Sequence, residues 1–567
     1  MKKCGALFLL AAHLATADAA DAAAQTPAAF AGHLFAKWNS AATPGCALAV
    51  SRPDQPALKL AYGQSDLEHG TANTPDTVFE AGSVSKQFTA AAVLLLAQDG
   101  KLALSDDVRK YLPELPDYGK PITLDHLLTH TSGLRDWGSI VEMEGWPRGT
   151  RAVSMAQALT VIARQRGLNF PPGERYSYSN SGYVLAAFVV QRVSGKTLAE
   201  FTRERIFLPL GMARTQWRDN FRRVVPGRAV AYSPAGKGYE QDMPFEDVYG
   251  HGGLLTTVGD LLIWNDALTG NVLGKDIGAQ LERRPVLPEG RVSNYGHGLI
   301  TQSYRGAAEV SHDGATAGYR TWLGRYPERR LSIALLCNAG DANAGMLARA
   351  VAQELLAPPA AAAEAIPAAP PAAGRAAVPA AAVLAAAASN GAVAPAAASA
   401  ALGAYAGTFY NELTANRVIV ALRDGALVLP NGTPLRPLEG GAFGVNAGTF
   451  VFAGPDRFAA NPGGGEVMSF RRVVAAPAGA VLNAYAGRYG SEEALASYDV
   501  APDGDKLAFR LSGKPESVLR LAPLAPDVFG GDGVVVRFER GAGGRISGAI
   551  ASTYRLYGLH FKKAAEQ

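Results

Sequence analysis

Between Ala357 and Ala401 the chain is almost entirely alanine and proline, and this stretch decides how the rest is divided. Pro358, Pro359, Pro367, Pro370, Pro371, Pro379 and Pro395 each remove a backbone donor, so no continuous helix runs through it. The composition predicts a disordered or extended linker, with transient helix at most over Ala380–Ala388. No core forms across such a segment, so the residues on either side must each bury their own. The length of 567 residues agrees, because single cores stop growing near roughly 250–300 residues.

Downstream of the linker the sequence repeats. AYAG occurs at Ala404–Gly407 and again at Ala484–Gly487. Each copy continues into a turn and an alternating apolar run, RDGALVL at Arg423–Leu429 and PDGDKLAFRL at Pro502–Leu511. Each ends in a strand rich in Arg and Lys, near Met468–Val474 and Tyr554–Lys563. Short alternating strands with Gly-rich turns predict two small antiparallel β-barrels, over residues 402–475 and 480–565.

Upstream, strand patterns stand at both ends of a helical block. A helix is expected over about Gln25–Asn39, followed by two strands, CALAVSRP and ALKLAYGQSD, joined at Ser51–Gln55. Helical periodicity dominates from Ser83 to about Leu268. Strands return in AAEVSHDG, GYRTWLGRYP and RLSIALLCNAG, and the helix GMLARAVAQELL closes the unit near Leu356. This order predicts an α+β domain over residues 25–356, with an antiparallel sheet whose first and last segments meet, flanked by helices.

The N-terminus, MKKCGALFLLAAHLATADAADAAAQ, has Lys2 and Lys3 before a short apolar run and an A-x-A site. It reads as a signal peptide over residues 1–22, and so predicts a periplasmic or secreted protein with no permanent membrane span. Cys4 precedes the apolar run, which argues against a lipid anchor. Cys46 and Cys337 remain after cleavage, read either as two core thiols or as one bridge formed after export. The net charge of +4 and the lack of a basic run with interleaved aromatics argue against nucleic-acid binding.

The chemistry concentrates in three places. In FEAGSVSKQFTAAAVLLLAQDG, Phe79–Gly100, a small-residue turn delivers Ser83 to the start of an apolar helix that Gly100 stops. Lys86 lies three residues on, which puts a hydroxyl and an amine one turn apart where the helix dipole favours negative charge. A serine needs a base, and a desolvated lysine is one. In PPGERYSYSNSGYVLAAFVV, Tyr178 and Asn180 sit in a polar loop just before a helix. A neighbouring ammonium would lower the phenol and make it a proton acceptor. In VSHDGATAGY, His312 and Gly314 share one face of a strand, Gly314 admits close backbone approach, and the Ala315 amide can join that of Ser83 as an oxyanion hole.

Ser83-x-x-Lys86, Tyr178-x-Asn180 and His312-x-Gly314, in this order, resemble the three motifs of the serine β-lactamase and penicillin-binding-protein superfamily. The class C β-lactamase/D-peptidase branch (peptidase family S12) is the nearer likeness. Ile122–Leu134, Ile206–Thr215, Gly250–Trp264 and Tyr295–Leu299 match in kind, and the resemblance covers about Ala29 to Leu356. It implies a β-lactamase/transpeptidase-like fold with an all-helical subdomain, and an acyl-enzyme on Ser83 activated by Lys86. Tyr178 would act as general base in acylation and help protonate the leaving group, with Lys86 and Tyr178 both open as the group that takes the serine proton. Asn180 would orient substrate and lysine, and His312, Gly314 and Ala315 would form the substrate and oxyanion wall. No cofactor and no metal are implied, and the partner is a small-molecule or peptide substrate.

The third motif departs from the β-lactamase pattern, where a lysine is usual in place of His312. Histidine there resembles D-aminopeptidases and related D-peptidases and esterases, and D-aminopeptidases also carry two C-terminal barrels, here expected to be lipocalin-like. The reading is therefore a D-aminopeptidase-like serine hydrolase. Its alternatives are a carboxylesterase or weak β-lactamase/DD-peptidase on the same scaffold, or a non-catalytic penicillin-binding protein. His126 and His130 have metal-like spacing without a metal motif. His251 is read as a cleft residue or a tight-turn residue, and Trp264 and Tyr319 as core or pocket wall. The oligomeric state is not set by sequence.

Overall fold

The computed structural model describes residues 26–356, 402–438, 442–445, 448–461, 467–474 and 482–565. The signal-peptide and linker segments fall outside these. In the first block, helix α1 (Pro27–Leu34) leads into strands β1 (Cys46–Arg52) and β2 (Gln55–Tyr62). Helices α2 (Lys86–Gln98), α3 (Asn180–Ser194) and α4 (Val258–Thr269) form much of the middle. Strands β3 (Ile300–Tyr304), β4 (Ala307–Thr316), β5 (Tyr319–Tyr326) and β6 (Leu331–Cys337) follow, then helix α5 (Ala344–Leu356).

The six strands form one antiparallel sheet in the order β3-β4-β5-β6-β1-β2, so the first and last segments do meet. Cys46 stands directly opposite Cys337 in the β1–β6 register, and the two form a disulfide rather than a pair of core thiols. Strand alternation divides the core. Leu48, Val50, Ile333 and Leu335 pack with α1 and α5, while Ala47, Ala49, Ala334 and Leu336 face α2 and α4.

Helix α2 is the axis of the second layer. Every residue from Lys86 to Leu96 is buried, so it is enclosed on all sides rather than amphipathic. It ends where expected: Gly100 takes φ +70°, and Lys101 and Gly100 donate to the carbonyls of Leu96 and Ala97 in a Schellman closure. Short strands also interrupt the helical block. Phe79–Glu80, Leu254–Thr256 and Gln216–Trp217 make a three-stranded sheet that carries the chain into the Ser83 turn.

Glu80, fully buried three residues before Ser83, accepts from Nε and Nη2 of Arg218 at 2.9 and 3.2 Å. This paired charge braces the approach to the turn. Trp264 and Tyr319, left open between core and pocket, are both core: Trp264 packs on Phe88 at 4.3 Å, and Tyr319 donates to the Ala229 carbonyl.

The repeat becomes two barrel-like sheets of eight strands each. In the first, Val428 at the end of one outer strand bridges to Pro434, two residues before the other outer strand, Arg436–Pro437, and the second is a closed barrel. Gly407 and Gly487, the last residues of the two AYAG copies, each open the first strand of their sheet.

The closed barrel docks on the first block. Arg135, almost fully buried, pairs with Glu493 at 2.9 Å and donates to the carbonyls of Tyr557 and Gly558. Asn169 donates to the Arg555 carbonyl and accepts from the Tyr557 amide, and Tyr498 Oη reaches the Met143 carbonyl at 2.7 Å.

Candidate active site

Ser83 lies in a 3₁₀ turn, Gly82–Ser85, that runs directly into α2. In a 3₁₀ turn residues three apart eclipse, so Lys86 Nζ comes to 3.1 Å from Ser83 Oγ. The amine also reaches Asn180 Oδ1 at 3.0 Å and the His251 carbonyl at 2.6 Å. Asn180 is the first residue of α3, where its amide donates to Asp136 Oδ2 at 2.7 Å. Tyr178 stands two residues before that helix, with its ring 4.7 Å from Lys86 Nζ.

The third wall is β4. A Cβ on Gly314 would stand 2.3 Å from the Ala81 carbonyl oxygen, 2.2 Å from Thr321 Oγ1 and 3.1 Å from the Ser83 amide nitrogen. A Cβ on Gly82, at φ +50°, would stand 2.8 Å from the Ala315 amide nitrogen. The strand and the turn therefore cross at two glycines, and that crossing sets the Ser83 and Ala315 amides side by side. Ser83, Tyr178, Asn180, His251, His312 and Ala315 all line one cavity of about 320 Å³, with Lys86 as its buried floor. Every site residue expected from sequence is at this place, and His251 proves to be a cleft residue.

Burial governs the electrostatics. It drives Lys86 well below its ordinary value, and the nearby Arg555 cation acts in the same direction. It pushes the Tyr178 phenol upward. The Ser83 hydroxyl beside it pulls the other way, although Tyr178 Oη makes no hydrogen bond of ordinary geometry among the described residues. The expectation that an ammonium lowers this phenol is thus reversed, because the lysine is itself driven towards neutrality and desolvation outweighs it. His312 is pushed down to about 4, again by burial. Its Nδ1 faces the Asp313 carbonyl at 2.5 Å, which only accepts, so Nδ1 carries the proton. Nε2 then accepts from Tyr295 Oη at 3.0 Å.

His126 and His130 have structural roles. His126 Nδ1 accepts from the Thr123 amide in a capping box, and His130 Nδ1 accepts from the Ser179 amide amid Tyr176, Tyr178, Tyr183 and Tyr295. The group of metal-capable side chains among the described residues, Asp66, Glu68 and His69, sits in a surface turn and does not line the cavity.

The buried histidines predict an acid weakness. Burial lowers His130, His251 and His312 in the folded chain, whereas unfolded histidine titrates near 6.5. Below that pH the unfolded chain binds protons that the folded chain refuses, so stability falls with pH. The expected loss is up to about 1.4 kcal/mol per pH unit for each histidine, from pH 6.5 down to about 4 for His312. Guanidinium unfolding followed by tryptophan fluorescence between pH 7 and 4.5 measures it; a flat profile would refute it.

The lining residues to which the sequence assigned no role include Arg148, Tyr295, Tyr554 and Arg555. Tyr295 opens the YGHGL segment already matched in kind, which was its one signal. Tyr554 and Arg555 come from the turn between the last two strands of the closed barrel, Ile546–Thr553 and Leu556–Lys563. Arg555 lies over the Tyr178 ring with its guanidinium carbon 4.7 Å from the centroid.

A serine at a helix start, floored by a buried lysine and walled by a strand, is the arrangement of an acyl-transfer fold, and known proteins identify it. The chain belongs to the beta-lactamase family, whose profile matches residues 30–357. It is 30% identical over 302 residues to penicillin-binding protein 4* of Bacillus subtilis (strain 168), covering 49% of this chain and 64% of that protein. It is also 30% identical over 320 residues to a D-aminopeptidase of Gluconobacter oxydans (strain 621H), covering 54% and 59%. The chain thus spans about three fifths of the length of these relatives. Among solved structures, an octameric penicillin-binding protein homologue from Pyrococcus abyssi aligns with TM-score 0.53 at 21% identity, over 78% of this chain and 99% of that one, a likeness of fold.

Proposed function

We propose that the chain is an exported serine hydrolase that forms an acyl-enzyme on Ser83 and cleaves amides or peptides containing D-amino acids. The observation that carries the reaction type is the 3.1 Å approach to Ser83 Oγ of a buried Lys86, which desolvation drives well below its ordinary value. A neutral amine has two N–H bonds and one lone pair. Asn180 Oδ1 and the His251 carbonyl take the two donors, which leaves the lone pair for the Ser83 proton.

In the proposed mechanism Oγ attacks the acyl carbon as its proton passes to Lys86, and the oxyanion forms against the Ser83 and Ala315 amides. Tyr178, held protonated by burial, passes its proton to the leaving nitrogen and regains one from Lys86. Water then attacks the acyl carbon by the reverse route and frees Ser83. Asn180 holds the lysine, and Gly314 lets the strand close on the turn. The signal peptide over residues 1–22 and the division into units 25–356, 402–475 and 480–565 belong to this proposal. So does its placement in the periplasm or outside the cell.

The D-preference draws on the resemblance to D-aminopeptidases, one of which matches at 30% identity. Side-by-side assays of D-alanine p-nitroanilide, L-alanine p-nitroanilide, p-nitrophenyl butyrate and nitrocefin test it. The expected result is D-anilide cleavage at least roughly tenfold above the L-anilide, as one misplaced group in a chiral pocket costs about 1–3 kcal/mol. Ester cleavage with equal rates on the two anilides would reject the D-substrate reading and favour the carboxylesterase one.

A further inference from the structure

Several groups in and beneath the cavity bear or could bear positive charge, and all but Arg555 are either paired or driven towards the uncharged form by burial. Lys86 is desolvated towards neutrality and engaged by three oxygens. His312 is neutral, with both ring nitrogens occupied. Both nitrogens of His251 lack a hydrogen-bond partner, but burial keeps that ring uncharged. Arg148 is held by Glu246 at 2.6 Å.

Arg555 is different. Among the described residues its Nε is buried with no hydrogen-bond partner, and its guanidinium lies against the rings of Tyr178 and Tyr554 rather than against a carboxylate. Two carboxylates stand near the cavity. Asp136 accepts from the Asn180 and Ser139 amides. Asp313 lines the cavity from the exposed face of β4, and at both Lys86 and Tyr178 its effect is outweighed by the opposite effect of Arg555. The hairpin docks through the Arg555 backbone carbonyl, which leaves the side chain free to serve the cavity.

A half-buried guanidinium without a counter-ion is costly unless something fills the role. We infer that Arg555 is a specificity-determining residue that binds a substrate carboxylate, so the preferred substrates carry a free carboxylate rather than a free ammonium. A planar guanidinium offers paired donors that match a carboxylate, and a free ammonium placed against that guanidinium meets like charge. The inference rests on the acyl-enzyme reading and assigns the recognition of a substrate carboxylate to a residue outside the matched domain, on the closed barrel.

The test uses achiral esters, so that its outcome is separate from the question of D-preference. Mono-p-nitrophenyl succinate, glutarate and adipate scan the reach of the carboxylate, each against the neutral ester of equal chain length. The quantity read is the ratio of kcat/KM for acid over neutral ester in the full-length protein, at several salt concentrations. Arg555→Gln is expected to lower the best ratio roughly 10- to 100-fold, the range of a charge-assisted hydrogen bond, and Arg555→Lys to restore part of it. The wild-type ratio should also fall as salt rises.

An unchanged ratio in Arg555→Gln, or an equal loss on acid and neutral esters, would overturn the inference; the second result would mean that the residue only holds the hairpin in place. If the ratio responds to Arg555 while the anilides show no D-preference, the carboxylate site stands and the D-peptide reading fails. If the anilides show D-preference and the ratio does not respond, the reverse holds.

Discussion

Ser83→Ala is expected to lower kcat by roughly 10⁴–10⁶-fold, the range seen when a nucleophile that acts as one unit with its base is removed. The loss is large because nothing else in the cavity can replace the oxygen. Tyr178 is driven upward by burial and stays a phenol, and Lys86 is aimed at the Ser83 oxygen rather than at solvent. The substitution removes one hydroxyl from the 3₁₀ turn, so thermal unfolding should move little. A fluorophosphonate probe read by intact mass checks the claim: the wild type should take one label and the variant none. A label that persists in the variant would place the nucleophile elsewhere.

Gly314→Ala is expected to cost roughly 10²–10³-fold in kcat, the effect of losing one oxyanion donor. The added Cβ would lie 2.3 Å from the Ala81 carbonyl oxygen and 2.2 Å from Thr321 Oγ1. The threonine can rotate, but the carbonyl belongs to the backbone that leads into Ser83, so β4 and the turn must separate. That separation moves the Ala315 amide away from the Ser83 amide while leaving the contact between Ser83 and Lys86 in place. KM for a neutral ester should therefore change far less than kcat. Wild-type kcat in a folded Gly314→Ala protein would show that the two amides do not act together.

The residues that sequence made legible share one property: each is placed by a local rule. Ser83 and Lys86 are one turn apart, Asn180 begins a helix, and His312 and Gly314 alternate on a strand. The fold was legible on the same grounds, since strand patterns at both ends of a helical block leave few ways to close a sheet. What escaped depends on distance along the chain. Glu80 and Arg218 form a buried pair across 138 positions that no pattern in either neighbourhood signals. Arg555 lay in a segment read only as a strand rich in Arg and Lys, Tyr554–Lys563, with nothing in it to signal a distant cavity. The sign of the Tyr178 shift escaped for another reason: an ammonium was assumed to dominate beside it, whereas the depth of burial drives the phenol upward and Lys86 well below its ordinary value.

The docked hairpin also sets a clock on synthesis. Gly558, which joins it to the first block, lies 202 residues beyond Leu356, the last residue of that block (558 − 356). At about 5–20 residues per second, the chain needs roughly 10–40 s to grow that far. During that interval every residue of the Ser83–Lys86 site in the first block exists while one side of the cavity is missing. A newly made chain thus passes through a stage with a wide-open cleft, and its final selectivity arrives only when the hairpin seats.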